Sequence, residues 1–285
     1  MSNISIKEMI NAGVHFGHQS KYWNPKMRPF IYTTFKKLHI INLEKSITHF
    51  NDAKNFIEKI TKNNSKILFV GTKRAARDII SKYATEAKMP YVNIRWLGGM
   101  LTNFDTVKKS IQKLDNLKSQ LNTALIDGLT KKESLVIKKQ IAKLEKNLSG
   151  IKHLETTPDA LFVIDTRYEK IAIQEANKLN IPVIAVVDSN NSFDGVDYMI
   201  PGNDDSMSSI ELFVKEITNI IINTKSKFTK AVAAPSKETE KNSDSSITKT
   251  KSLKKKQVID IDNQESKTND KSSKERKITD DNIEK

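Results

Sequence analysis

The 285-residue sequence predicts a three-layer α/β domain built on a parallel sheet. Short apolar runs alternate with segments of helical period, and those runs are apolar at every position, as strands covered on both faces must be. The first is Ile67–Val70, followed by a helix through Ala75, Ala76, Ile79, Ile80 and Tyr83. A second strand is expected over Tyr91–Trp96. Ala160–Asp165 follows, then a helix through Ile171, Ala172, Ala176 and Leu179, and then the strand Ile181–Asp188. A short strand at Asp197–Pro201 precedes a last helix carrying Ile210, Phe213, Val214, Ile217 and Ile221. An earlier helix runs from about Leu43 to Thr61, with Ile47, Phe50, Ile57 and Ile60 on its buried stripe.

One long interruption carries no strand signal. From residue 103 to 150, Val107, Ile111, Leu114, Leu121 and Leu125 form a narrow seam on one arm. Ile137, Ile141, Leu144, Leu148 and Ile151 form it on a second. Asp127-Gly128 marks the turn, and Thr130 with Glu133 has the spacing of a capping box. Steps of three and four with charged flanks predict an antiparallel coiled-coil hairpin inserted in the domain.

The composition changes near Thr224. Residues 225–285 hold 16 of the 48 Lys and Arg and 11 of the 34 Asp and Glu, with Phe228 their only aromatic residue. So little apolar surface predicts a disordered charged tail. Removing its share from the net +14 leaves the body, residues 1–224, at about +9. A basic body favours a polyanionic partner through counterion release. There is no cysteine, which excludes disulfides and thiolate chemistry. The opening MSNISIKEMINAG has no apolar signal core, and no run reaches the roughly 18 residues of a membrane span. The expectation is a cytoplasmic protein.

Ligands of parallel sheets gather at the strands' carboxyl ends. There Gly71-Thr72-Lys73-Arg74 leads toward a helix, an arrangement suited to a phosphate, whether of RNA or of a nucleotide. Arg95 and Trp96 supply charge and a stacking face beside the paired Gly98-Gly99 turn. The segment Lys21-Tyr22-Trp23-Asn24-Pro25-Lys26-Met27-Arg28-Pro29 mixes cations, aromatics and prolines without helical or strand period. The candidate RNA contacts are therefore Lys21, Trp23, Lys26, Arg28, Lys73, Arg74, Arg95 and Trp96. Trp23 has packing on the core as its equal alternative. Asp204 and Asp205 either cap the last helix or, with His18 and Asp188, form a divalent-ion site. No serine elbow, triad spacing or paired catalytic acids appear, so no enzyme is expected.

Taken in order, Ala12–Tyr32, Ile67–Ala76, Tyr91–Phe104, Pro158–Asp165, Glu175–Asn190 and Asp197–Ser206 resemble the bacterial small-subunit ribosomal protein S2 family. Arg95–Asn103 and Gly13–His18 are its most distinctive stretches. The resemblance implies a flavodoxin-like sheet of five strands with an inserted coiled-coil hairpin. It also implies contacts with small-subunit ribosomal RNA and neighbouring ribosomal proteins, including the large mRNA-binding one. No catalytic activity, organic cofactor or small-molecule substrate is implied. Ser189–Asp194, without the family's usual Asp-Pro step, and Ser206-Met207-Ser208, without its usual Arg, depart from the pattern. Two other readings are weighed: a nucleotide-dependent enzyme using Gly71–Arg74 and Asp188, and a scaffold acting through the hairpin alone.

Overall fold

In the computed structural model the described residues are 4–127 and 131–233. The Gly128–Thr130 turn with its expected capping box, and residues 234–285 of the expected tail, lie outside them. The chain opens with helix α1 (Ile6–Asn11), held by a Ser5–Glu8 capping box. Strand β1 (Phe16–Gln19), two 3-10 turns, and strands β2 (Ile31–Phe35) and β3 (Leu38–Ile41) follow. Helix α2 (Leu43–Lys62) is capped by Asn42, whose carboxamide oxygen accepts from the Glu44 and Lys45 amides. Next come β4 (Ile67–Val70), α3 (Arg77–Glu86), β5 (Tyr91–Val92), α4 (Phe104–Asp127) and α5 (Lys131–Leu148). The chain returns through β6 (Ala160–Ile164), α6 (Lys170–Lys178), β7 (Val183–Val187), β8 (Tyr198–Pro201) and α7 (Met207–Ala233).

The main sheet has the order β5-β4-β6-β7-β8, all parallel. Its two cores follow from strand alternation. Ile67, Phe69, Phe162, Ile164, Ile184, Val186 and Ile200 face one core with α2, α3 and α7. Leu68, Val70, Leu161, Val163, Val183, Ala185 and Val187 face the other with α6 and the base of α4. Both faces are dry, which is why the strands read as unbroken apolar runs.

Three expectations need correction. The second strand stops at Val92, because Asn93 donates to the Arg77 carbonyl (3.1 Å) and the chain then turns around a buried carboxylate. The N-terminal stretch contains a three-stranded antiparallel sheet, β1-β3-β2, that the sequence reading missed. Residues 225–233, expected in the disordered tail, instead extend the last helix: no Gly or Pro falls between Met207 and Ala234, and α7 continues to Ala233.

Phe162 lies on central β6 against Phe69, with ring centroids 5.4 Å apart. Phe162→Ala should lower stability by about 3–5 kcal/mol, read as a shift in the urea midpoint with little change in slope.

Candidate functional site

The strand order reverses between β4 and β6, and at that point the carboxyl ends of the sheet carry a cluster of acids. Lys73, just past β4, sends its ammonium into it. Nζ lies 2.7 Å from Asp204 Oδ1, 2.5 Å from Asp205 Oδ1 and 3.2 Å from Asp165 Oδ2. Asn191 closes the far side, donating to Asp204 Oδ2 (2.7 Å) and Asp165 Oδ1 (3.1 Å). Asp204 is wholly buried and Asp188 nearly so. Burial opposes a charge on Lys73, but Asp204 and the other carboxylates outweigh it, so its pKa is raised. Asp204 is raised too, first by burial and then by Asp165 and Asp188. The two directions agree physically: one ammonium cannot neutralise several acids, so it holds its proton firmly while the most buried acid ionises late.

His18 joins this cluster from β1. Nδ1 lies 3.0 Å from Asp188 Oδ2 and Nε2 lies 3.0 Å from Asp205 Oδ2. The Asp188 carboxylate beside it raises the imidazole pKa against an opposing effect of burial. Asp188 Oδ2 is buried, and its contact with His18 is not aligned as a hydrogen bond. Ligand atoms of His18, Asp188, Asp204 and Asp205 lie within 4.8 Å of one another, so this set has the donor chemistry for a small divalent cation. The Asp204 oxygens are taken by Lys73 and Asn191 rather than by α7, and Asn203 Oδ1 accepts from the Asp205 and Ser206 amides in the turn before that helix.

The loop after β7 fastens the N-terminal segment here. The Ser189 hydroxyl accepts from the His18 amide (2.8 Å) and its carbonyl accepts from the Asn24 amide (2.8 Å). Lys26 Nζ pairs with Asp194 at 2.6 Å. Thr166 donates to the Ser192 carbonyl at 2.6 Å.

A second buried carboxylate organises the glycine loop. Glu175 of α6 accepts from Gly99 N (2.7 Å), Leu101 N (3.0 Å), Thr102 N (3.3 Å) and the Trp96 indole N–H (3.2 Å). Burial alone would raise its pKa, but the backbone donors, Leu101 and Gly99 foremost, bring it below the ordinary value. Gly99 has φ +84°, which lets successive amides converge on one carboxylate. The Arg95–Asn103 stretch is thus unusual because its backbone folds around Glu175. An acid on α6, 73 to 79 residues further along the chain, leaves no local mark in the sequence.

The expected RNA contacts divide accordingly. Lys21, Lys26, Arg28, Arg74 and Arg95 are exposed. Trp23 is partly buried, its ring 5.4 Å from that of His39. Trp96 is buried in the second core and offers no open stacking face. Lys73 is committed to the acids. The loop after β4 is not an open phosphate cradle: the Thr72 amide donates to buried Glu169 (2.6 Å), and α3 begins only at Arg77.

Two outcomes follow. Lys73→Met should cost about 3–5 kcal/mol, the usual loss when one partner of a buried pair is removed. Adding Asp204→Asn should recover part of it in a double-mutant cycle. Charge reversal at Lys73 is for the same reason no neutral probe of RNA binding. For Glu175, whose folded pKa is depressed, the stabilisation is present above its unfolded pKa and lost as pH falls through the folded value. Glu175→Gln should remove that acid-side slope in urea titrations carried below the ordinary carboxylate range.

Among families of known proteins, the one described as Ribosomal protein S2 matches residues 9–224.

Proposed function

Because the chain belongs to the ribosomal protein S2 family, we propose that it is a structural component of the small ribosomal subunit that binds ribosomal RNA and neighbouring small-subunit proteins, the large mRNA-binding one among them. The observation that carries this reading is the family match across nearly the whole basic body. The chemistry of the sheet ends supports it. There Lys73 is bound to Asp165 and Asp204 inside the fold, so these charged groups serve the protein's own packing. The family membership supports a ribosomal, cytoplasmic place of action; no helix among the described residues is long and apolar enough to cross a membrane.

The RNA-facing surface in this reading comprises the exposed cations Lys21, Arg28, Arg74 and Arg95, with Trp23 beside them. Helices α4 and α5 form an antiparallel coiled-coil hairpin that reaches a neighbour. Buried Val107, Ile111, Leu114, Ile141 and Leu148 support the seam. So do the ion pairs Lys118–Glu145 (2.6 Å) and Asp115–Lys152 (2.7 Å), which join the arms in antiparallel sense. The segment 225–285, with 16 Lys and Arg against 11 Asp and Glu, adds non-specific attraction to RNA.

Sedimentation of tagged protein from cell extract tests the function. The protein should travel with small-subunit particles at low and moderate salt, and recovery only in the free fraction would refute the reading. Ile141→Asp should melt the two arms, since a buried unpaired carboxylate costs several kcal/mol. The sheet should stay folded. Full helicity by circular dichroism in that variant would rule out the coiled coil.

A further inference from the structure

The sharpest departure from what local stability would select is the tip of the β2–β3 hairpin. Phe35 and Leu38 are paired residues, leaving Lys36 and Lys37 as a two-residue turn. Both have positive φ, 47° and 66°. Such turns favour Asn-Gly, because a side chain in the left-handed region is crowded by its own backbone. Two lysines are therefore a poor choice sterically, and adjacent like charges make it worse. A strained choice held by its surroundings points to a use for the side chains.

Those surroundings present cations together with flat rings. The Ser20 amide donates to the Lys37 carbonyl (2.9 Å), which fastens the tip beside Lys21 and Tyr22. Tyr22, Tyr32 and Phe35 are 60%, 75% and 62% exposed, far more than aromatic side chains usually are. Lys21 Nζ lies 4.6 Å from the centre of the Tyr22 ring, and Lys36 Nζ lies 5.4 Å from that of Phe35. No Asp or Glu occurs between Glu8 and Glu44, so nothing within this segment neutralises the lysines.

We propose that the Lys36-Lys37 hairpin tip, with Lys21, Tyr22, Tyr32 and Phe35, is a docking surface for an unpaired stretch of RNA. This rests on the ribosomal reading above and specifies where on the protein that partner sits. The lysines meet phosphates while the rings stack on bases. Stacking requires base faces that a duplex hides, so the surface selects single strands over helices.

The test compares full-length parent, a Lys36→Asn/Lys37→Gly double variant and Phe35→Thr by fluorescence anisotropy. The probes are a short labelled oligouridylate and an RNA duplex of equal length. Asn-Gly suits the turn better than Lys-Lys, so the double variant should unfold at a denaturant midpoint no lower than the parent's. Its log K against log salt slope for oligouridylate should be shallower by about 1.4, the loss of two phosphate contacts. Phe35→Thr should weaken oligouridylate binding roughly tenfold and duplex binding hardly at all. Unchanged oligouridylate affinity and slope in both variants would overturn the proposal. So would equal losses for polyglutamate, which would mark the patch as a site for an acidic protein. These arms need no ribosome, so they are decided separately from co-sedimentation, whose failure would instead remove the ribosomal reading.

Discussion

The ammonium of Lys73 sits among Asp165, Asp204 and Asp205, and much of the architecture at the carboxyl edge of the sheet depends on it. Asp165 follows β6, Asp204 and Asp205 follow β8, and Lys73 follows β4, so one cation draws together three strand ends. Without it the same geometry would force several carboxylates together in a dry setting, where like charges repel strongly. His18 extends the cluster outward by meeting Asp188 and Asp205 through its two ring nitrogens. The cluster thereby fastens the N-terminal antiparallel sheet, and all it displays, to the main domain.

This division of labour places buried charge and exposed charge in different roles. Parallel α/β sheets commonly put ligands at the strand ends. Here those ends are occupied by the protein's own groups: Glu169 takes the Thr72 amide, Glu175 takes the glycine-loop amides, and Lys73 takes the acids. The Thr72 and Gly99 amides are thus taken by carboxylates of the protein itself. Charge available to a polyanion lies instead on the N-terminal segment and on loop residues such as Arg74 and Arg95.

How much of this was legible in the sequence follows from whether each cause was local. The strands at residues 67, 160, 183 and 198 were plain because burial on both faces makes every position apolar. Helices α4 and α5 were equally plain as a repeat of three and four. The β1–β3 sheet was not, because β2 is exposed along Tyr32–Phe35 and its turn is Lys-Lys where Asn-Gly would have signalled a hairpin. The extent of α7 was misjudged because a change of composition is not a helix stop; only Gly or Pro would have been one. At the site, Lys73 and the acids were each noticed as residues. Their pairing with one another, and the part played by Glu175, arise from contacts across long stretches of chain that no local pattern encodes. Trp96 looked like a stacking surface for the same reason: its burial is decided by α6.

The central claim is that the Lys73 cluster holds the N-terminal segment in place. Amide hydrogen exchange on Lys73→Met at a denaturant-free, neutral pH addresses it most directly. Faster exchange is expected at His18 and Asn24, whose amides bond to the Ser189 loop, and through residues 203–206, while the amides of β6 and β7 keep the parent's protection. Unchanged protection at His18 and Asn24 in a folded Lys73→Met protein would contradict the account.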